Sequence, residues 1–223
     1  NNAGFVIFPE SVSLSVFKTD YIILLTMSSL ILLGTLSYSV MLDVFGYRRK
    51  FNRYTLDSKM VVTATVALLV IAFIVFLISE YSNPDTLGSL NFAGKIVNTV
   101  FIAVSGRTAG FSTVDFGSME QHSNFFLTSL MFIGGASAST AGGIKVNTFA
   151  VLIAAVLSSI AGRSHVVAFG REIPHPQVYR AMTVLILGLA IVFSVALLLT
   201  ITENLMFIDI LIETVSAFCT VGL

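Results

Sequence analysis

Residues 134–143 read Gly134-Gly135-Ala136-Ser137-Ala138-Ser139-Thr140-Ala141-Gly142-Gly143, at the centre of an apolar run from 123 to 160 whose only charge is Lys145. A straight helix over that run would reach about 57 Å, far beyond a hydrocarbon core about 30 Å thick. Four glycines and three hydroxyl residues weaken the helix at its middle. Non-helical backbone at membrane depth persists only where it faces protein or water. The stretch therefore predicts a broken helix whose glycine-rich centre lines a cavity.

The surroundings agree with a lipid solvent. Of the 223 residues 56% are hydrophobic and 11% charged, with a mean hydropathy of +0.93; soluble domains carry about 25% charge. Segments 21–42, 60–79 and 181–202 are apolar on all faces and long enough to span a bilayer. A buried core helix could explain one of them, hardly three. Twelve basic and twelve acidic residues cancel, which argues against nucleic acid as a partner. The lone cysteine, Cys219, allows no internal disulfide and no thiolate set for zinc. His122, His165 and His175 are scattered over loops, so no resident metal or cofactor is expected. No charged-then-apolar leader precedes the first span, and the chain is expected to be a piece of a longer polypeptide.

Two shorter apolar stretches, 90–104 and 206–218, suit re-entrant helices. They run into Arg107-Thr108-Ala109-Gly110-Phe111 and Cys219-Thr220-Val221-Gly222-Leu223, and the chain begins with the similar Asn1-Asn2-Ala3-Gly4-Phe5. Gly4, Gly110 and Gly222 recur at nearly even spacing, which marks an internal repeat. Arg48, Arg49, Lys50, Arg53 and Lys59 lie between the first two spans, and Arg163, Arg171 and Arg180 follow the broken helix. Only Lys18, Lys95 and Arg107 fall on the opposite side, so the two basic loops are expected in the cytoplasm. Nine acidic residues (Glu10, Asp20, Glu80, Asp85, Asp115, Glu120, Glu203, Asp209 and Glu213) then lie outside. There they would concentrate cations at a pore mouth or form an ordinary solvated face. Each unit reads as span, external re-entrant helix, glycine strand, second span and basic loop. Successive re-entrant helices share a side, so the units are parallel.

A re-entrant helix entering from outside aims its C-terminal carbonyls and negative dipole end at the membrane centre, where they favour a cation. The glycine strands carry no carboxylate. Their ligands would be backbone carbonyls of Asn2, Ala3, Gly4, Thr108, Ala109, Gly110, Thr220, Val221 and Gly222, with the Thr108 and Thr220 hydroxyls available to help. Glycine permits the φ values that turn successive carbonyls toward one axis. Uncharged carbonyl rings suit a monovalent ion such as K⁺, whereas divalent ions recruit Asp or Glu.

These motifs, together with Gly135 to Thr140, Gly142-Gly143-Ile144-Lys145 and Ser216 to Leu223, resemble the Trk/Ktr/HKT superfamily of K⁺ transporters, the Ktr-type translocating subunit most of all. The resemblance covers essentially the whole chain. It implies an all-α polytopic membrane protein in which helix/pore-loop/helix units surround a central pore, with re-entrant pore helices and one broken transmembrane helix. Residues 1–59 would end the second unit, 60–180 form the third and 181–223 open the fourth up to its filter strand. It also implies K⁺ uptake across the cell membrane, with Na⁺ as an activating or coupled ion. K⁺ would sit at the filter only. Gly134, Gly135, Ala136, Ser137, Ala138, Ser139, Thr140, Ala141, Gly142 and Gly143 would form a gate loop below the filter. Lys145 would face a cavity or partner, or snorkel to the cytoplasmic interface. Expected partners are a second copy in a homodimer and a cytoplasmic ring of nucleotide-binding regulatory subunits.

Two other readings remain from the residues alone. Ser137, Ser139 and Lys145 suit an intramembrane Ser/Lys hydrolase, though neither Asp nor His accompanies them. An inverted-repeat secondary transporter for another solute is disfavoured by the same-side re-entrant helices.

Overall fold

Eight α-helices follow one another in the computed structural model, which describes residues 14–47, 50–107 and 109–222. They are α1 (Tyr21–Thr35), α2 (Tyr38–Tyr47), α3 (Leu56–Glu80), α4 (Phe92–Ser105), α5 (Gln121–Phe132), α6 (Val146–Ile160), α7 (His175–Thr202) and α8 (Phe207–Phe218). Local chemistry starts several of them. Asp20 Oδ1 accepts from the Ile22 and Ile23 amides at the head of α1. Thr55 Oγ1 accepts from Ser58 N at the head of α3, and Asn91 Oδ1 from Gly94 N at the head of α4. Each cap satisfies a donor that has no intrahelical partner.

Helices α3 and α7 are long and apolar enough to cross a membrane, and the bent pair α1–α2 supplies a third candidate. The repeat survives in the packing. α3 lies on α4 as α7 lies on α8, α1 packs on α4 as α5 packs on α8, and α2 meets α3 as α6 meets α7. The short helix α4 is buried at eight of its last eleven residues, from Lys95 to Ser105. That is the environment of a helix held inside protein. α7 buries only one stripe, Val178, Ala181, Gly188, Val192 and Ala196.

Three details depart from the sequence expectations. The apolar run 21–42 is not straight: α1 stops at Thr35 and α2 leaves at 109°. Ser37 starts the new direction, its hydroxyl accepting from Val40 N at 3.3 Å. α2 then packs with Val61 of α3 and Val146 of α6 around Ala136, so the bend is fixed by burial elsewhere. The expected break after α5 spans 133–145, slightly wider than its glycines, and makes a second interrupted helix. The third departure is an antiparallel hairpin of β1 (Val166–Ala168) and β2 (Arg171–Ile173) in the basic loop after α6. Its two-residue turn, Phe169-Gly170, has φ of 49° and 73°, the left-handed values that a tight hairpin requires. Ile173 anchors it under Met60, Ala150, Ala154 and Val178.

On the opposite side, Glu80 overturns part of the pore-mouth reading of the acidic residues. It is 0% exposed. Its carboxylate accepts from Asn83 Nδ2 at 2.8 Å, Thr86 Oγ1 at 2.7 Å and Glu120 N at 3.1 Å. It ties the two outer loops together and offers no charge to solvent. The scattered histidines are also regrouped. The His165 and His175 rings lie 5.9 Å apart, and His165 Nδ1 is 3.0 Å from Glu172 Oε1. Among the described residues no group of three or more His, Cys, Asp or Glu could hold a metal ion.

Candidate ion filter and gate

Helix α8 ends in a motif that turns the chain sharply into residues 219–222. Val221 N donates to Ser216 O at 2.9 Å and Thr220 N to Ala217 O at 3.3 Å, the paired bonds of a Schellman C-cap. That motif puts Thr220 in the left-handed region, φ 52°, where glycine is usual. Gly222 follows at φ 83°, and Gly110 of the preceding strand has φ 71°. Both strands therefore turn on a glycine after a short helix. Ala109, Gly110 and Val221 are buried, whereas Thr220 and Gly222 are exposed. The segment after α4 is held by Ala109 N donating to Ser105 O at 3.0 Å and by a hydrogen bond from Ser105 Oγ to Phe111 O. Asn2, Ala3, Gly4 and Thr108 lie outside the described residues.

The glycine-rich loop between α5 and α6 touches three parts of the molecule. At its root, Ile133 and Ile144 form a parallel bridge, with Gly134 N donating to Ile144 O at 2.9 Å and Ile144 N to Phe132 O at 3.1 Å. On one side Arg107, 1% exposed, donates from one guanidinium nitrogen to Gly134 O at 3.0 Å. This joins the loop to the segment that follows α4. On the other side Gly142 faces Cys219 and Thr220 so closely that a Cβ there would lie 2.2 Å from Cys219 O and from Thr220 Oγ1. A Cβ on Gly143 would lie 3.1 Å from Cys219 Sγ. The glycine pair thus makes room for Cys219 at the end of α8.

The middle of the loop hangs on the broken end of α1. Ala136 N donates to Thr35 O at 2.8 Å, and Thr140 donates to Gly34 O through its hydroxyl at 3.1 Å and its amide at 3.4 Å. Those carbonyls are free because α1 stops there. Ala138 takes φ 61° and Gly143 φ 67°, so the loop is an irregular turn, tethered at Ala136 and Thr140. Ser139 Oγ donates to Ala136 O at 2.6 Å and Lys145 Nζ to Ala141 O. Each is engaged with loop backbone, not with the other. Ser137 N donates to Asn147 Oδ1 at 2.8 Å, and Asn147 Nδ2 bonds Asp57 Oδ1 beside the basic loop.

Residues 1–223 match the family model for TrkH, described as cation transport protein. The chain belongs to the TrkH family of cation transport proteins. The family places the chain among transport proteins, not hydrolases; it is a multi-pass membrane protein. It is 42% identical to the Ktr system potassium uptake protein B of Bacillus subtilis, over 100% of this chain and 49% of that protein. It is 37% identical to the protein of that name from Vibrio alginolyticus, again over 100% and 49%. The potassium/sodium uptake protein NtpJ of Enterococcus hirae is also 37% identical, with the same coverage. The chain spans about half the length of the curated relatives it matches. In fold it resembles the crystal structure of the potassium transporter TrkH from Vibrio parahaemolyticus, with a TM-score of 0.68 and 20% identity over 92% of this chain and 43% of that one.

Within this TrkH-family chain, four participants escaped the sequence reading. Gly34 and Thr35 act through backbone carbonyls, which no side-chain pattern records. Arg107 was legible only as part of a motif. Asn147 had a visible signal, an amide two residues after the lone lysine in an uncharged helix.

Proposed function

We propose that this chain forms a K⁺-conducting core whose third and fourth filter strands select the ion and whose 134–143 loop gates it. The observation that carries this reading is the loop itself, tied to Arg107 of the third strand and packed against Cys219 and Thr220 of the fourth. Backbone carbonyls at 109–110 and 220–222 supply partial negative charge without a carboxylate, which suits a weakly hydrated monovalent ion. The names of the relatives, potassium and potassium/sodium uptake proteins, support the same cargo, with Na⁺ as a coupled or activating ion. The family resemblance extends the proposal to a homodimer on a cytoplasmic nucleotide-binding ring, with the basic loops as its docking surface.

The test replaces Gly110 or Gly222 with Ser in the full-length protein. A side chain at φ 71° or 83° strains the turn, at a cost of about 1–2 kcal/mol. The carbonyls then lose their common aim. K⁺/Na⁺ discrimination in uptake by a K⁺-uptake-deficient strain should fall about tenfold, the equivalent of ~1.4 kcal/mol. Unchanged selectivity in both variants refutes the filter assignment.

A further inference from the structure

A slot of about 540 Å³ lies between α5, α6, α7 and α8, beside the root of the glycine-rich loop. Its α7 wall, from Leu185 to Thr200, is about 22 Å long at 1.5 Å per residue, which gives a mean cross-section of about 25 Å², room for one hydrocarbon chain. The slot also contains hydroxyls, but they are turned away. Thr128 Oγ1 donates to Asn124 O at 2.8 Å, Ser129 Oγ to Phe125 O at 3.1 Å and Thr200 Oγ1 to Leu197 O at 2.7 Å. A cavity without unpaired polar groups stays free of water.

We propose that this slot binds an acyl chain of a membrane phospholipid, and that the bound chain acts on the gate. The slot opens sideways, its rim formed by Ile153, Val156, Phe193 and Leu197, which are 43%, 54%, 76% and 63% exposed. In a chain that crosses the membrane, the medium at such a rim is lipid. The repeat argues against a helix of the same chain as occupant. α5 and α6 pack on α3, the first helix of their own unit. By the same repeat, a helix completing the α7–α8 unit would pack on α7 in the same way. The slot lies instead at the junction between units, the place that α2 and α3 occupy one unit earlier.

The inner wall gives the chain its leverage. Phe132, Ile133 and Ile144, which form the root of the gate loop, line the slot. Behind them Phe132 stacks on Phe218 at 6.0 Å, the residue that ends α8. A Cβ on Gly188 of α7 would lie 3.3 Å from Phe218 and 3.5 Å from Ile144, so α7 leans directly on this seam. A chain in the slot packs the bridge between Ile133 and Ile144 from its outer side. An empty slot leaves that side without contacts, which favours a looser root. The effect on flux rests on the gate reading above, whereas the occupancy does not.

The experiment uses the full-length protein in phospholipid vesicles doped with a phospholipid carrying a mid-chain diazirine. After irradiation, label on Ile153, Phe193 and Leu197 should saturate with increasing probe and fall when unlabelled phospholipid is added, whereas bulk contacts rise linearly. Ala196→Phe, which puts a ring into the slot, should abolish the saturable label. Ile153→Trp at the rim does the same without touching the core. In both variants K⁺ flux at saturating K⁺ should change about fivefold, the low end of ordinary allosteric coupling, with K⁺/Na⁺ preference unmoved. Label that never saturates, or that survives both substitutions, overturns the site. A spontaneous disulfide between Ile153→Cys protomers assigns the slot to a second copy and overturns it too. Loss of saturable label with unchanged flux overturns the action on the gate. The labelling arm needs no transport, so its result is independent of whether K⁺ is the cargo.

Discussion

The chain interrupts two helices, and the interruptions are of different kinds. Between α5 and α6 the backbone leaves the helix for thirteen residues, with four glycines and a left-handed alanine. Between α1 and α2 it leaves for two, Leu36 and Ser37, and resumes at 109°. The long break must find a partner for many backbone groups, so its composition advertises it. The short break frees only a few carbonyls and needs one serine cap. The two are complementary, since the carbonyls that α1 gives up at Gly34 and Thr35 are those that Ala136 and Thr140 take. A loop at membrane depth is held in place by a helix that ends early beside it.

The largest expected effect comes from shortening the long break. Deleting several residues within 136–141 removes both tethers to α1 and the barrier itself. K⁺ flux through the full-length protein should rise about tenfold or more, since each ~1.4 kcal/mol taken from the closed state is a factor of ten in population. Its dependence on a regulatory partner should shrink while K⁺/Na⁺ preference stays. A deletion variant that inserts normally yet keeps low, regulated flux makes both breaks structural. Gly142→Ala is the intermediate case. The new Cβ meets backbone at 2.2 Å, so loop and fourth strand must separate, at a cost of about 1–3 kcal/mol for overpacking. Thermal stability should drop by several degrees, and selectivity should weaken with it because Cys219 leads into the proposed filter. An unchanged melting temperature would show that the contact yields freely. Thr140→Val is the smallest change and addresses the short break directly. It removes the hydroxyl bond to Gly34 and leaves the amide, so about 1 kcal/mol is lost. Flux should rise less than tenfold, without any change in ion preference.

The contrast also explains what the sequence could reveal. Spans, re-entrant helices and the long break follow from hydropathy, length and glycine content, each of which is written in consecutive residues. The repeated strands were readable because glycine recurs where the backbone must turn. Arg107 on Gly134, Gly142 against Cys219 and the carbonyls of Gly34 and Thr35 were not, since they join residues far apart in the chain. The bend after Thr35 was hidden because Leu36 and Ser37 are unremarkable in an apolar helix, and its cause is the packing of Val40 against Val61 and Val146. Glu80 looked like an external charge, and only its three donors reveal a clamp. The hairpin at 166–173 was missed because two strands of three residues leave almost no alternation to detect.

Thr220 has a consequence for protein engineering. Its left-handed backbone would suit glycine better, by about 1–2 kcal/mol, so any redesign guided by thermal stability alone would replace it. That replacement would strip the exposed hydroxyl from the start of the fourth strand and remove the side chain that faces Gly142. On the filter and gate proposed above, a more durable protein would be obtained at the position where selectivity and closure are assigned, and screening for heat resistance would select steadily against transport.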